Sequence, residues 1–345
     1  MRKIVLVLLA IFIMANICCG PKVKSVSKLV WPPPPDKARI QYIGIYSSSK
    51  DFGTSKRKQI LEKLVGVQNF LRLNKPADIA TDSQGRIYIT DTSLAVVVVF
   101  DEKNKEVWSF GNTMQRKLVS PTGIAIDSKD RIFVADSQQN IVFIYNNEGV
   151  LTGHLGGVDI FNRPTGIAID EDRERIYVSN TRNNRIDVFN LNGEHLFEIG
   201  GMGVDPKGEN TEQSAGKFFA PTYLSLDKDG NIYVTDFLNC RIQILDPRGK
   251  PVSTIGRCGN RPREFARPKG IALDSEGHIY VVDAAFNNIQ IFDKTGRLLL
   301  VFGGAGHEPG TFDLPAGIHI DKNDKIYVVA DTFHIPQIQL FQYLK

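Results

Sequence analysis

From residue 76 onward the chain repeats one arrangement of apolar and polar positions. A proline opens an apolar run ending in Asp, a polar turn follows, and a second apolar run of the form I-Y-V closes on Asp or Asn. PTGIAIDSKDRIFVAD from Pro121, PTGIAIDEDRERIYVSN from Pro164 and PKGIALDSEGHIYVVD from Pro268 show the unit plainly. PTYLSLDKDGNIYVTD from Pro221 keeps the spacing without the glycine. Units start at Pro76, Pro121, Pro164, Pro221, Pro268 and Pro315, between 43 and 57 residues apart. Each continues into a third run such as NRIDVF, CRIQIL or NIQIF. A fourth follows in the first five, ending at Gly111, Gly156, Gly200, Gly256 or Gly303. Four short strands per unit of this length predict propeller blades.

The sixth unit stops at QIQLFQYLK, a third strand with nothing after it. Residues 39–47 (RIQYIGIYS) have no blade of their own, so they are expected to supply the missing outer strand. That pairing would close the ring and leave no long unpaired edge. The fold class expected is all-β: a six-bladed β-propeller with four-stranded blades over residues 39–345. The P-x-G-I-A-I-D, I-Y-V-x-D and N-R-I-x-x-F segments resemble the NHL-repeat family, and the arrangement looks like bacterial envelope lipoproteins of the six-bladed type. The fold hosts many functions, so it does not by itself assign one.

The first residues are of another kind. Arg2 and Lys3 precede an unbroken apolar run over residues 4–15, which is too short to span a bilayer and reads as a signal peptide. The run ends in Asn16-Ile17-Cys18-Cys19-Gly20, and the resemblance makes Cys19 the expected lipidation site, with residues 1–19 read as the signal region and Cys19 itself left as the lipidated new N-terminus. Loss of Arg2 and Lys3 takes the net charge from +4 to about +2, which supplies no global field for a polyanion. Residues 20–38, with Pro32 to Pro35 in a row, are expected to form a stiff tether. Trp31 within it either docks on the propeller or stands exposed.

Asp82, Asp127, Asp170, Asp227, Asp274 and Asp321 end the first strands. Each precedes a turn in which an Asx side chain caps backbone amides, so capping is expected rather than ligation. Asp91, Asp136, Asn180, Asp236 and Asp283 close the second strands and are expected to cap the next turn. The histidines show no H-x-x-x-H spacing, and only His319 lies on a predicted inner strand. At the matching positions stand Ala80, Ala125, Ala168, Ser225 and Ala272. No catalytic residue, metal site or cofactor is assigned from sequence. A metal-dependent hydrolase or lyase with its site at the channel mouth is the competing reading.

Strands alternate in direction, so the turns between second and third strands share one face with the blade-to-blade connections. Residues 54–75, with a predicted amphipathic helix, and residues 200–220 are the long segments of that face. Arg72, Arg116, Arg163, Arg182, Arg185, Arg241, Arg257, Arg261, Arg263 and Arg267 gather there as a candidate binding surface. Phe161, Phe218, Phe219, Phe265 and Phe312 are expected to pack beneath it. Cys240 and Cys258 fall nearly opposite each other across the hairpin formed by the last two strands of the fourth blade. In an oxidising envelope this position predicts a disulfide. A protein partner or envelope ligand is expected on this face, and membrane attachment through the N-terminal lipid. No nucleic acid is expected, because an exported chain does not meet the RNA that cytosolic relatives of this family hold.

Overall fold

A computed structural model describes residues 29–52, 71–113, 116–205, 207, 209, 214–330 and 336–345. Cys19, the predicted helix within residues 54–75 and residues 331–335 of blade six lie outside this set, apart from Leu71–Lys75. Blade one comprises Pro76–Thr81, Ile87–Asp91, Val96–Asp101 and Glu106–Phe110, and each later blade repeats this antiparallel order outward from the axis. The second and third strands are sandwiched by neighbouring blades on both faces, so Ile87–Asp91 and Val96–Asp101 are buried at every residue. The fourth strands lie at the rim and alternate, as in His195–Gly200. Burial on two faces is why the I-Y-V runs read as continuous apolar stretches while the fourth runs read as mixed. The core is therefore divided among the blade interfaces, with one hydrophobic cluster at each junction.

Blade six closes the ring from both termini. Ile40–Tyr46 pairs antiparallel with Gln337–Tyr343, carrying Ile40 opposite Tyr343 and Tyr46 opposite Ile338. Ile40 is wholly buried there, a contribution of about 1.5–3 kcal/mol to closure. The expected tether departs from an extended spacer at its end. Val30–Trp31 forms a fifth strand on Ile40–Tyr46, so the prolines between them belong to a chain reversal. The peptide bonds Trp31–Pro32 and Pro34–Pro35 are cis. Trp31 docks, its ring 5.6 Å from that of Phe302 and 5.8 Å from that of Phe341.

The repeated carboxylates are caps. Asp82 accepts the amides of Gln84 and Arg86 on one oxygen, and Arg86 Nε and the Tyr88 hydroxyl on the other. Asp227, Asp274 and Asp321 repeat the pattern with Tyr233, Tyr280 and Tyr327. In these four blades the tyrosine of the second strand locks the turn that precedes it, whereas Tyr177 of blade three donates to the Pro247 carbonyl and blade two carries Phe133 there. The second set reaches further than a local cap. Asp91 accepts Ser93 and Leu94 amides from its own turn and Asn74 and Lys75 amides from the incoming connection. Asp136 and Asp283 do the same, stitching the two kinds of loop together on one face.

Candidate functional site

On that face a second stitch recurs. Asn140, Asn184 and Asn287 sit at left-handed φ of 53° to 56°, and their Oδ1 atoms hold the amides of Arg163, Ala220 and Leu314, each just before the next blade's proline. Blade four has Cys240 at this place, with φ 50°. Its sulfur is bonded instead to Cys258 of the outgoing connection, with Cα atoms 4.8 Å apart. The disulfide takes over the role of the asparagine. Reduction is expected to lower stability by about 3 kcal/mol through the freed loop entropy. Urea unfolding of the Cys240→Ser/Cys258→Ser variant against wild type measures it, and a difference below about 1 kcal/mol would remove the role.

The arginines come to this face but do not act alike. Arg72, Arg116, Arg163, Arg182, Arg261, Arg263 and Arg267 are exposed. Arg116 lies over the Phe143 ring at 5.2 Å. Arg257 pairs with Glu264, whose carboxyl is held below its usual range first by the Arg261 amide and then by this guanidinium. Arg185 bridges Asp187 and Glu198. Arg241 corrects the sequence reading: it is 0% exposed and belongs to no open surface. Its Nε meets Asp236 at 2.8 Å, its Nη1 meets Asp205 at 2.7 Å, and its Nη2 donates to the Ser214 carbonyl at 2.9 Å. Asn239 joins the same knot, accepting the Asp205 amide and donating to the Gly203 carbonyl. The physical reason is coverage. The described parts of the long connection, residues 200–205 and 214–220, fold over the start of the third strand, and the Asp205 carboxylate draws the guanidinium inward.

This knot bolts the 200–220 connection down from beneath. Phe218 is buried under it, as are Phe161, Phe265 and Phe312 at the other junctions. On this connection Met202 and Val204 stand 64% and 57% exposed, and Leu238 of the blade-four turn stands 44% exposed. Leu238 is held against the same connection by its amide bond to the Phe219 carbonyl.

The channel is the other concavity. Tyr223 of blade four reaches across the axis, and its hydroxyl donates to the Ala77 carbonyl of blade one at 3.0 Å. On the loop side of this plug is a pocket of about 220 Å³ lined by Ala77, Thr122, Thr165, Thr222, Phe237 and Lys269. Methyl, hydroxyl, phenyl and ammonium groups line this mouth, which is not the donor set of a zinc or calcium centre. On the other side is a chamber of about 300 Å³ whose lining includes Asp78, Thr81, Ser225 and His319. The His319 Nε2 and Thr81 Oγ1 atoms lie 2.8 Å apart.

Among the described residues the one potential metal cluster is Asp187, His195 and Glu198, on the outer strands of blade three. Sequence spacing missed it because the members are cross-strand neighbours, Asp187 standing opposite Glu198. Arg185 and Asn180 already satisfy its carboxylates, so it reads as an ion-paired cluster.

Comparison with known proteins agrees with this architecture. A family model described as a 6-bladed beta-propeller matches residues 223–287 and 273–343, and one for the NHL repeat matches residues 161–189. A Bacteroides thetaiotaomicron protein of unknown function is 18% identical with a TM-score of 0.62, over 78% of this chain and 70% of its own. Virginiamycin B lyase from Staphylococcus aureus is 14% identical with a TM-score of 0.55, over 79% and 96%. A chain of a nidogen/laminin complex is 18% identical with a TM-score of 0.54, over 71% and 84%. At these identities the likeness is one of fold. The chain is a six-bladed β-propeller, with a match to the NHL repeat over residues 161–189.

Proposed function

We propose that this propeller is a non-catalytic binding scaffold of the cell envelope, tethered by lipid on Cys19, which docks a protein partner on the loop face at blade four. The observation that carries the reading is the bolted connection of residues 200–220. A buried guanidinium and two buried carboxylates are weak contributors to net stability, and such networks serve better to fix one conformation. What this one fixes is an outward display of the apolar side chains Met202, Val204 and Leu238, of which methionine is a type enriched in protein interfaces. The exposed arginines of the same face give it a polar rim. The disulfide supports an oxidising compartment, in keeping with the apolar leader. Likeness to a chain of the nidogen/laminin complex supports the use of this fold in protein–protein assembly.

The test is capture from envelope fractions by the full chain and by Met202→Asp/Val204→Asp. The expected result is a partner retained by wild type and lost by the variant, with unchanged melting temperature. Equal capture by both would overturn the docking site. Stoichiometric zinc or calcium in the purified protein, bound at the channel mouth, would overturn the non-catalytic reading.

A further inference from the structure

Four blades carry glycine at the third position of the inner strand. A Cβ on Gly123 would meet the Thr165 carbonyl oxygen at 1.8 Å, on Gly166 the Thr222 oxygen at 2.3 Å, and on Gly270 the Ala316 oxygen at 2.6 Å. Glycine is there to let neighbouring inner strands approach. Blades one and four, which face each other across the axis, break the rule with Asp78 and Tyr223. Departures from a repeat's own packing rule are where function is expected to sit.

Tyr223 closes one end of the chamber, making it a blind pocket that opens on the face opposite the loops. Its volume of about 300 Å³ holds about ten waters and lies at the small end of ligand sites. Its outer ring is aliphatic, with Ile126, Ile169, Leu226, Leu273 and Ile320 joined by Thr81. Inside, Ser225, His319 and Asp78 add a few polar groups. Polar atoms, backbone groups of the inner strands among them, make up more of the chamber's open wall than carbon does, which suits a ligand rich in hydroxyls.

We propose that the blind chamber beneath Tyr223 binds a small neutral polyhydroxylated molecule of monosaccharide size, its C–H faces against the aliphatic ring and its hydroxyls on Ser225, His319 and Asp78. Neutrality follows from what burial does to the chamber's own groups. It pushes the Asp78 carboxyl up to about 7 and the His319 imidazole down to about 4. Both changes disfavour the charged form, and opposite charges are penalised alike, so a charged ligand meets the same desolvation cost. The chamber is separate from the loop-face docking site and does not depend on it.

Alanine-methyl NMR of the full chain tests this with three probes of one skeleton: D-glucose, D-glucuronate and D-glucosamine. D-Xylose and a glucose trisaccharide serve as further arms. The expected result is saturable shifts at the Ala80, Ala125 and Ala272 methyls with a neutral monosaccharide, at least 10-fold weaker with both charged probes. Ser225→Ile fills the pocket and is expected to abolish the shifts while the melting curve remains cooperative. His319→Gln, which keeps hydrogen-bonding capacity, is expected to retain weakened binding if Ser225→Ile fails to fold. No saturable shift with any neutral probe overturns the proposal. So does equal affinity for a charged probe, binding that survives in folded Ser225→Ile, or undiminished affinity in His319→Gln. Preference for the trisaccharide would place the natural source in a polymer end and exclude a free sugar.

Discussion

Arg241→Met is expected to destabilise the propeller by about 3–5 kcal/mol, because it leaves two buried carboxylates with no cation between them. Arg241, Asp236 and Asp205 are all buried, and the guanidinium also satisfies the Ser214 and Lys217 carbonyls. Burial already raises the Asp236 carboxyl above its usual range, against the hydrogen bonds from Asn239, Phe219 and Arg241 that pull it down. Removing the guanidinium raises it further. The loss is therefore expected to be largest at neutral pH and to shrink as acid neutralises Asp236. Urea unfolding at pH 7 and pH 4.5 measures both parts. A loss below about 1 kcal/mol at pH 7, or one that grows in acid, would show that Arg241 is not the bolt described. Limited proteolysis should find its new cleavage within residues 200–220, since that connection loses its anchor before the blades do.

Arg241 also shows where the sequence stopped being legible. At the same blade position Arg185 stays partly exposed under a short connection, whereas Arg241 is covered by Asp205, Ser214 and Lys217 of the long one. The one clue was Asp205, a carboxylate in the only long excursion between described blades. The fold itself was readable because its cause is repeated. The Asp that caps each turn and the apolar runs on either side recur in register, so the six blades and the strand that closes them follow from the pattern. Closure by Ile40–Tyr46 was visible because one strand was missing at one end and one unassigned at the other. Val30–Trp31 was not, since a run of prolines gives no strand signal and the tryptophan's docking is tertiary. The disulfide rested on hairpin register, which period-two alternation fixes well. The meaning of Asp78 and Tyr223 lay in the absence of a glycine. Only the approach of neighbouring inner strands reveals what that glycine is for.

Asp78→Asn carries the second large expected effect, and its sign is opposite. The Asp78 carboxyl is pushed from 3.8 up to about 7 by burial, against the pull of the Ile124 and Ile79 amides. The other titratable groups lining the chamber give it no relief. The Tyr223 phenol is raised well above its usual value by burial and stays protonated, with its hydroxyl committed to the Ala77 carbonyl. His319, pushed down to about 4, is neutral wherever Asp78 ionises and offers no cation. A carboxyl raised in the folded state binds its proton more tightly there than in the unfolded chain. Its contribution is therefore fully present below about pH 4 and is lost as pH rises toward 7. Holding the carboxyl at about 7 in place of 3.8 costs the folded state about 4 kcal/mol at pH 8. Asparagine is neutral at every pH and retains an oxygen for the Ile124 amide, now 3.1 Å from Oδ2. The variant should match wild type near pH 4 and exceed it by about 4 kcal/mol at pH 8. Urea unfolding from pH 4 to 8.5 follows the two curves apart. A variant weaker than wild type at pH 8 would mean that the carboxylate is paired in the folded protein and that the chamber tolerates charge. It would also withdraw the argument that its ligand is neutral.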